Sequence, residues 1–117
     1  MHERSLVRAL LRQVADVAAE HPGSQVQSVR VRVGEFSGVE PELLAIAFDD
    51  MVQDTPLFGA ELDMERVPLE ASCDDCGNQF RIERYRFECN QCGSVKLAVR
   101  GGEELLLESV VLKEAVL

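Results

Sequence analysis

No stretch of this chain approaches the ~20 consecutive apolar residues that span a bilayer, so nothing in it reads as transmembrane. Positive charge is scarce. Lys and Arg number 12 against 21 Asp and Glu, for a formal net charge of -9. A nucleic-acid binder needs a cationic surface to neutralise phosphates, and this chain offers only a small one. Catalytic spacings are missing as well: there is no Ser–His–acid arrangement, no glycine-rich phosphate loop and no histidine-bearing catalytic zinc motif. An enzyme is therefore not expected. Histidine occurs only as His2 and His21, and cysteine only as Cys73, Cys76, Cys89 and Cys92. The opening Met1-His2-Glu3-Arg4 is charged, unlike a secretory leader. Without export, paired cysteines argue for a cytoplasmic protein that uses its thiols for something other than disulfides.

What is present fits a folded chain. A hydrophobic content of 46% in 117 residues suits one domain, or one domain plus a small module. The four cysteines organise that module. They read Cys73-Asp74-Asp75-Cys76-Gly77 and Cys89-Asn90-Gln91-Cys92-Gly93, two matched pairs with two residues between each pair's cysteines. Each pair can turn both sulfurs toward one point, and the following glycine supplies a positive φ that lets backbone N–H groups face them. Two such knuckles make a tetrahedral four-thiolate site, for which zinc is the leading metal. A rubredoxin-like iron site shares the spacing, and a redox pair or disulfides are weaker readings. Zinc would leave the site with roughly two negative charges, and its closed shell points to a structural role.

Along the chain, Leu6, Val7, Leu10, Leu11, Val14 and Ala18 recur at helical spacing over 5–20, and Pro22-Gly23 stops that helix. Val29, Val31 and Val33 alternate with Arg30 and Arg32, the period of a strand with one buried face. Pro41 opens a second, more apolar helix running to Val52. A strand over 60–67 turns Leu62 and Met64 inward and sets Glu61, Asp63 and Glu65 outward, where they can face Arg30 and Arg32. Phe80-Arg81-Ile82 and Tyr85-Arg86-Phe87 alternate like the arms of a short hairpin. An apolar strand over 103–112 ends the pattern. That strand needs a core, and the core nearby belongs to the first seventy residues. The expected fold is α+β: a small three-stranded sheet with two helices on one face, plus an inserted four-cysteine, zinc-ribbon-like module. Residues 1–70 with 102–117 form the discontinuous main domain, and 71–101 form the module. About thirty residues are too few to be stable without their metal.

The amino terminus is a second candidate site. A bulky second residue preserves Met1, so its α-amine, the His2 imidazole and the His2 backbone nitrogen fall within one chelate. With Glu3 they make a tetragonal N,O site suited to Ni²⁺ or Cu²⁺. On these residues alone, a mobile surface histidine is the commoner case. His21, near a helix end, reads as a capping or surface residue.

Taken together, Met1-His2-Glu3 with Ser5-Leu6, Gly34-Glu35-Phe36-Ser37-Gly38-Val39, Pro41-Glu42-Leu43, Gly59-Ala60-Glu61-Leu62, both CxxCG motifs and Gly102-Glu103-Glu104-Leu105 resemble the HypA/HybF family of hydrogenase nickel-incorporation proteins. The resemblance spans essentially the whole chain. It implies a nickel metallochaperone that binds Ni²⁺ through Met1, His2 and Glu3 and holds structural Zn²⁺ with Cys73, Cys76, Cys89 and Cys92. It also implies a partner GTPase, HypB, and delivery to the hydrogenase large-subunit precursor, with urease a second acceptor in some organisms. A homodimer, by exchange of the terminal strand, is conceivable. The chain departs from the family pattern at Arg4, which sets a cation beside the nickel ligands. Neither CxxC is followed by histidine, so a Cys-to-His ligand exchange is not expected. The rival is a zinc-ribbon interaction module, in which Arg81, Arg84, Arg86, Lys96 and Arg100, interleaved with Phe80, Tyr85 and Phe87, contact nucleic acid or protein. The acidity of the chain favours a solvated face instead.

Overall fold

The computed structural model describes residues 3–114. Its elements run α1 (Glu3–Ala19), β1 (Ser24–Gly34), α2 (Pro41–Met51), β2 (Glu61–Val67), β3 (Glu70–Cys73), β4 (Gln79–Arg81), β5 (Leu97–Gly101) and β6 (Leu105–Glu114). They build two three-stranded sheets, ordered β2-β1-β6 and β4-β3-β5, in an elongated body of 61 × 27 × 16 Å.

In the first sheet β1 is central. It runs parallel to β2, as the α2 crossover requires, and antiparallel to β6. Its alternation buries Val29, Val31 and Val33 and leaves Arg30 and Arg32 outside. The helices lie against the buried face. Val7, Leu10 and Val14, spaced three and four residues apart, are the buried stripe of α1, and α2 adds Leu44, Ala47 and Phe48. Pro41 fits at the start of α2, because its missing N–H has no intrahelical partner there and its φ is already helical. At the other end the Val52 N–H donates to the Phe48 carbonyl at 3.1 Å. The expected cross-strand charge pairing is present on the outer face. Arg30 stands opposite Asp63 and Arg32 opposite Glu65. The Nε–carboxylate distances are 3.6 Å and 3.7 Å, and Glu108 on β6 approaches Arg30 to 3.5 Å.

The second sheet corrects the expected hairpin. Phe80 and Arg81 do lie on a strand, but β4 pairs with β3, which carries Cys73, and not with 85–87. Tyr85, Arg86 and Phe87 form no strand. Arg84 and Tyr85 adopt left-handed φ values of 54° and 56°, which reverse the chain before Cys89. The alternation of 80–82 holds: Ile82, 1% exposed, follows Phe80 on the buried face opposite Leu69, to whose carbonyl its N–H donates at 2.8 Å, and only the arm 85–87 misled. The opposite edge is β5, antiparallel to β3. The terminal strand starts at Leu105, slightly later than expected, and continues to Glu114.

The sheets meet at Gly34-Glu35-Phe36. The Gly34 N–H donates to the Glu104 carbonyl at 2.9 Å, the Glu35 N–H to Val67 at 2.8 Å and the Phe36 N–H to Gly102 at 2.7 Å. Both chain crossings between the sheets are thus tied to one tripeptide. The crossing is tight enough to demand glycine: a Cβ on Gly34 would lie 2.5 Å from the Gly102 carbonyl carbon. A Cβ on Gly102, whose φ is +91°, would lie 2.5 Å from the Pro68 carbonyl oxygen. Phe36 also touches Tyr85 and Phe87, each at a centroid separation of 5.9 Å, and Arg81 reaches Glu35 at 3.8 Å.

Candidate metal centre

β3 ends at Cys73 and delivers its sulfur to the end of the second sheet, where the two knuckles face one another. They fold alike. The Gly77 N–H donates to the Cys73 carbonyl at 2.9 Å, and the Cys73 N–H to the Asn78 carbonyl at 2.8 Å. The same pattern, Gly93 to Cys89 at 2.9 Å and Cys89 to Ser94 at 2.8 Å, closes the second knuckle. Gly77 and Gly93 have φ of 75° and 77°, as the tight turn requires. Two side-chain hydrogen bonds stitch the knuckles together: the Ser94 hydroxyl donates to Asp75, and the Asn78 amide donates to the Asn90 side-chain oxygen at 2.6 Å.

All four sulfurs lie within 4.8 Å of one another. Cys73 Sγ is 3.6 Å from Cys92 Sγ, and Cys76 Sγ is 3.6 Å from Cys89 Sγ. A tetrahedron with Zn–S of about 2.3 Å has S···S edges of about 3.8 Å, so the cluster is already near the size zinc needs. Cys73 and Cys89 are buried, while Cys76 and Cys92 are exposed. Among the described residues the donor set is four thiolates with no fifth group, which suits a site that can hold zinc as a structural ion.

Hydrogen bonding divides the four thiols. Cys89 is drawn down to about 6, chiefly by the Cys92 backbone N–H, which together with the Gln91 N–H and the Asn78 amide outweighs burial. Cys92 is pushed up to about 12. The Ser94 N–H pulls it down, but neighbouring Cys73, burial, Cys76 and Cys89 together prevail. Cys76 is also raised, although the Asn78 backbone N–H acts to lower it, since burial and the Cys89 and Cys73 sulfurs work the other way. A divalent ion removes this competition by neutralising thiolates that otherwise repel each other.

At the amino terminus, Met1 and His2 lie outside the described residues. Glu3 is the first residue of α1 and is 6% exposed. Its Oε1 has no hydrogen-bond partner among the described residues. Arg4 turns away to α2, where its guanidinium bonds Asp50 at 2.7 Å, so its charge is already matched. His21 is exposed after the last turn of α1, and its N–H donates to the Ala18 carbonyl at 3.0 Å. Of the arginines near the metal centre, Arg81 pairs with Glu35 and Arg86 with Glu88. Sequence reasoning passed over Asn78, Asn90, Asp75 and Ser94. The signal for Asn78 and Ser94 was their place directly after each CxxCG, where a polar side chain is aimed back at the facing knuckle.

Two helices on a three-stranded sheet, joined to a second sheet that ends in a four-thiolate cluster, define a small metal-binding α+β protein. Residues 1–112 match the family model for HypA, described as hydrogenase/urease nickel incorporation, metallochaperone. The chain is 41% identical over 112 residues to the hydrogenase maturation factor HypA of Nitrosospira multiformis, covering 96% of this chain and 97% of that one. It is 38% identical over 113 residues to the corresponding factor of Aquifex aeolicus, covering 97% and 98%. The solution structure of the Ni metallochaperone HypA from Helicobacter pylori superimposes with a TM-score of 0.70 at 25% identity, covering 97% of this chain and 99% of that one. The chain belongs to the HypA family of nickel-incorporation metallochaperones.

Proposed function

We propose that the chain binds one Ni²⁺ at its amino terminus through the Met1 amine, His2 and Glu3, and passes it on during maturation of [NiFe]-hydrogenase. The observation that carries this reading is Glu3. A buried carboxylate oxygen without a hydrogen bond costs about 1–3 kcal/mol, and a bound cation is one of the few things that removes the cost. The start of α1 adds the positive end of the helix dipole, which favours a carboxylate there. The four cysteines hold Zn²⁺ as a structural ion, and residues 71–101 act as a module inserted into a domain made of 1–70 and 102–117. The two sheets and two buried clusters support such a division, with Leu69 and Glu70 already on the module's side of it. The work is transfer and not catalysis, done in the cytoplasm with the GTPase HypB and the hydrogenase large-subunit precursor as partners; urease is the second acceptor.

A chelate built on a chain end assembles and comes apart without disturbing a core, which suits a carrier. Protons compete with nickel for the imidazole and the amine, whose reference pKa values are about 6.5 and about 8, so affinity falls as pH falls through neutrality. The test is a calorimetric nickel titration of tag-free, zinc-loaded protein beside His2→Ala and Glu3→Gln. The expected result is one nickel per native chain, lost in His2→Ala and weakened in Glu3→Gln, with zinc retained in both. Equal binding by all three proteins overturns the assignment.

A further inference from the structure

Asn78, directly after Gly77, contacts sulfurs of both knuckles. Its backbone N–H donates to Cys76, and its side-chain Nδ2 lies 3.6 Å from Cys89 Sγ. Cys89 Sγ also accepts the Gln91 and Cys92 backbone N–H groups, each at 3.4 Å, so three donors converge on one buried sulfur. Ser94, in the matching place after Gly93, aims its hydroxyl at Asp75. The near-symmetry of the knuckles is therefore broken at this residue.

We infer that Asn78 is a positioning residue of the four-cysteine centre. Its amide donates to the Cys89 thiolate, drawing charge from that sulfur and aiming it at the shared ligand point, and the 2.6 Å bond to Asn90 fixes the amide in that orientation. Four thiolates around a dication carry a net charge of about -2. Each N–H directed at sulfur spreads that charge into the protein, and the amide of Asn78 is the one such side-chain donor among the described residues. Outer-shell hydrogen bonds of this kind typically govern metal affinity by about 10–100-fold.

The test separates donation to sulfur from mere tethering of the knuckles. In cobalt-substituted protein, the thiolate-to-metal charge-transfer band moves to longer wavelength when a sulfur loses a hydrogen bond and becomes more electron-rich. Asn78→Asp keeps the size of the side chain and can still accept a hydrogen bond from the Asn90 amide, but it cannot donate to Cys89. Asn78→Ala removes both bonds, and Asn90→Ala removes only the tether. The expected result is a longer-wavelength band and about 10-fold weaker zinc retention against a chelator in both Asn78 variants. Asn90→Ala should show a smaller change. If Asn78→Asp keeps the native band, the inference is overturned even where affinity falls, because repulsion by the new carboxylate would account for that fall. Should Asn78→Ala not fold, Asn78→Leu, which fills the same space with neither a donor nor a charge, takes its place.

Discussion

The two sheets have the same number of strands and are held together by different means. The first buries Val7, Leu10, Val14, Val29, Val31, Val33, Leu44 and Phe48 under two helices. Among the described residues no helix covers the second, and its buried cluster is Leu69, Ala71 and Ile82, with Phe80 and Leu97 packed alongside. A handful of apolar side chains does not offset the conformational entropy of ordering about thirty residues. In the second sheet the missing stabilisation falls to the cysteine cluster, which ties the end of β3 to the two knuckles. A metal there joins points far apart in the chain, so metal binding and folding become one equilibrium.

The largest expected effect follows directly. Chelating the metal, or replacing Cys73 by Ser, should raise amide hydrogen exchange at Ala71, Ser72 and Leu97 on the order of 100-fold or more, while Val29 and Val31 stay protected. Uniform loss of protection in both sheets would show that the second sheet is needed to hold the first, and that the two are not stabilised independently. The converse experiment is Phe48→Ala. Phe48 is fully buried, and truncation there should cost about 3–5 kcal/mol in thermal or denaturant unfolding. Metal binding, read from a cobalt spectrum below the unfolding transition, should survive.

Gly102→Ala tests the joint between the sheets. The new Cβ would sit 2.5 Å from Pro68 oxygen and 2.7 Å from the Leu69 Cα, both backbone atoms, at a φ of +91°. Strain of this kind costs about 1–3 kcal/mol before any clash is relieved. Unfolding should therefore shift by roughly 2 kcal/mol or more, with weaker protection of Phe36 and Ile82; an unchanged protein would mean that the crossing has slack. A smaller effect is expected from pH. Cys76 is raised and Cys92 is pushed up to about 12, so both hold protons through neutrality that a metal must displace. Zinc affinity should rise steeply with pH between pH 7 and 8, by at least about two decades per unit, and a further proton should enter below about 6, where Cys89 titrates. A flat profile would place metal binding on groups other than these thiols.

How much of this was legible in the sequence differs between the same two regions. Alternation at Val29, Val31 and Val33 and helical spacing at Val7, Leu10 and Val14 gave the first sheet nearly in full, because burial dictates its pattern. That the acids of β2 could face Arg30 and Arg32 followed from alternation as well, although the register that sets Arg30 opposite Asp63 and Arg32 opposite Glu65 needed the structure. The four ligands were equally plain, since spacing alone brings two knuckles together. The second sheet was misread where its pattern has other causes. Tyr85 and Phe87 look like strand residues, yet they are exposed and pack on Phe36, a partner far away in the chain. The strand β3, at Glu70–Cys73, is too short to show a period, and β5 finds its partner across the whole cysteine loop. Asn78 was missed for a related reason: despite its place after CxxCG, an asparagine after a glycine reads as a turn until the sulfur it faces is known.

The smallest effect concerns the one place where the first sheet uses charge. Arg30 lies between Asp63 at 3.6 Å and Glu108 at 3.5 Å, so it touches both neighbouring strands, whereas among the described residues Arg32 pairs with Glu65 alone, at 3.7 Å. These side chains are roughly half exposed, so water and salt screen them, and each pair contributes about 0.2–1 kcal/mol. Arg30→Ala should cost a few tenths of a kcal/mol more than Arg32→Ala in urea unfolding, and the difference should shrink as ionic strength passes about 1 M, where the Debye length is about 3 Å. It arises because Arg30 has an acid on either side, which matters on a three-stranded sheet whose other strands are both edges. If the two substitutions cost the same at low salt, the outer face contributes nothing through its charges, and the stability of the first sheet rests on its buried face alone.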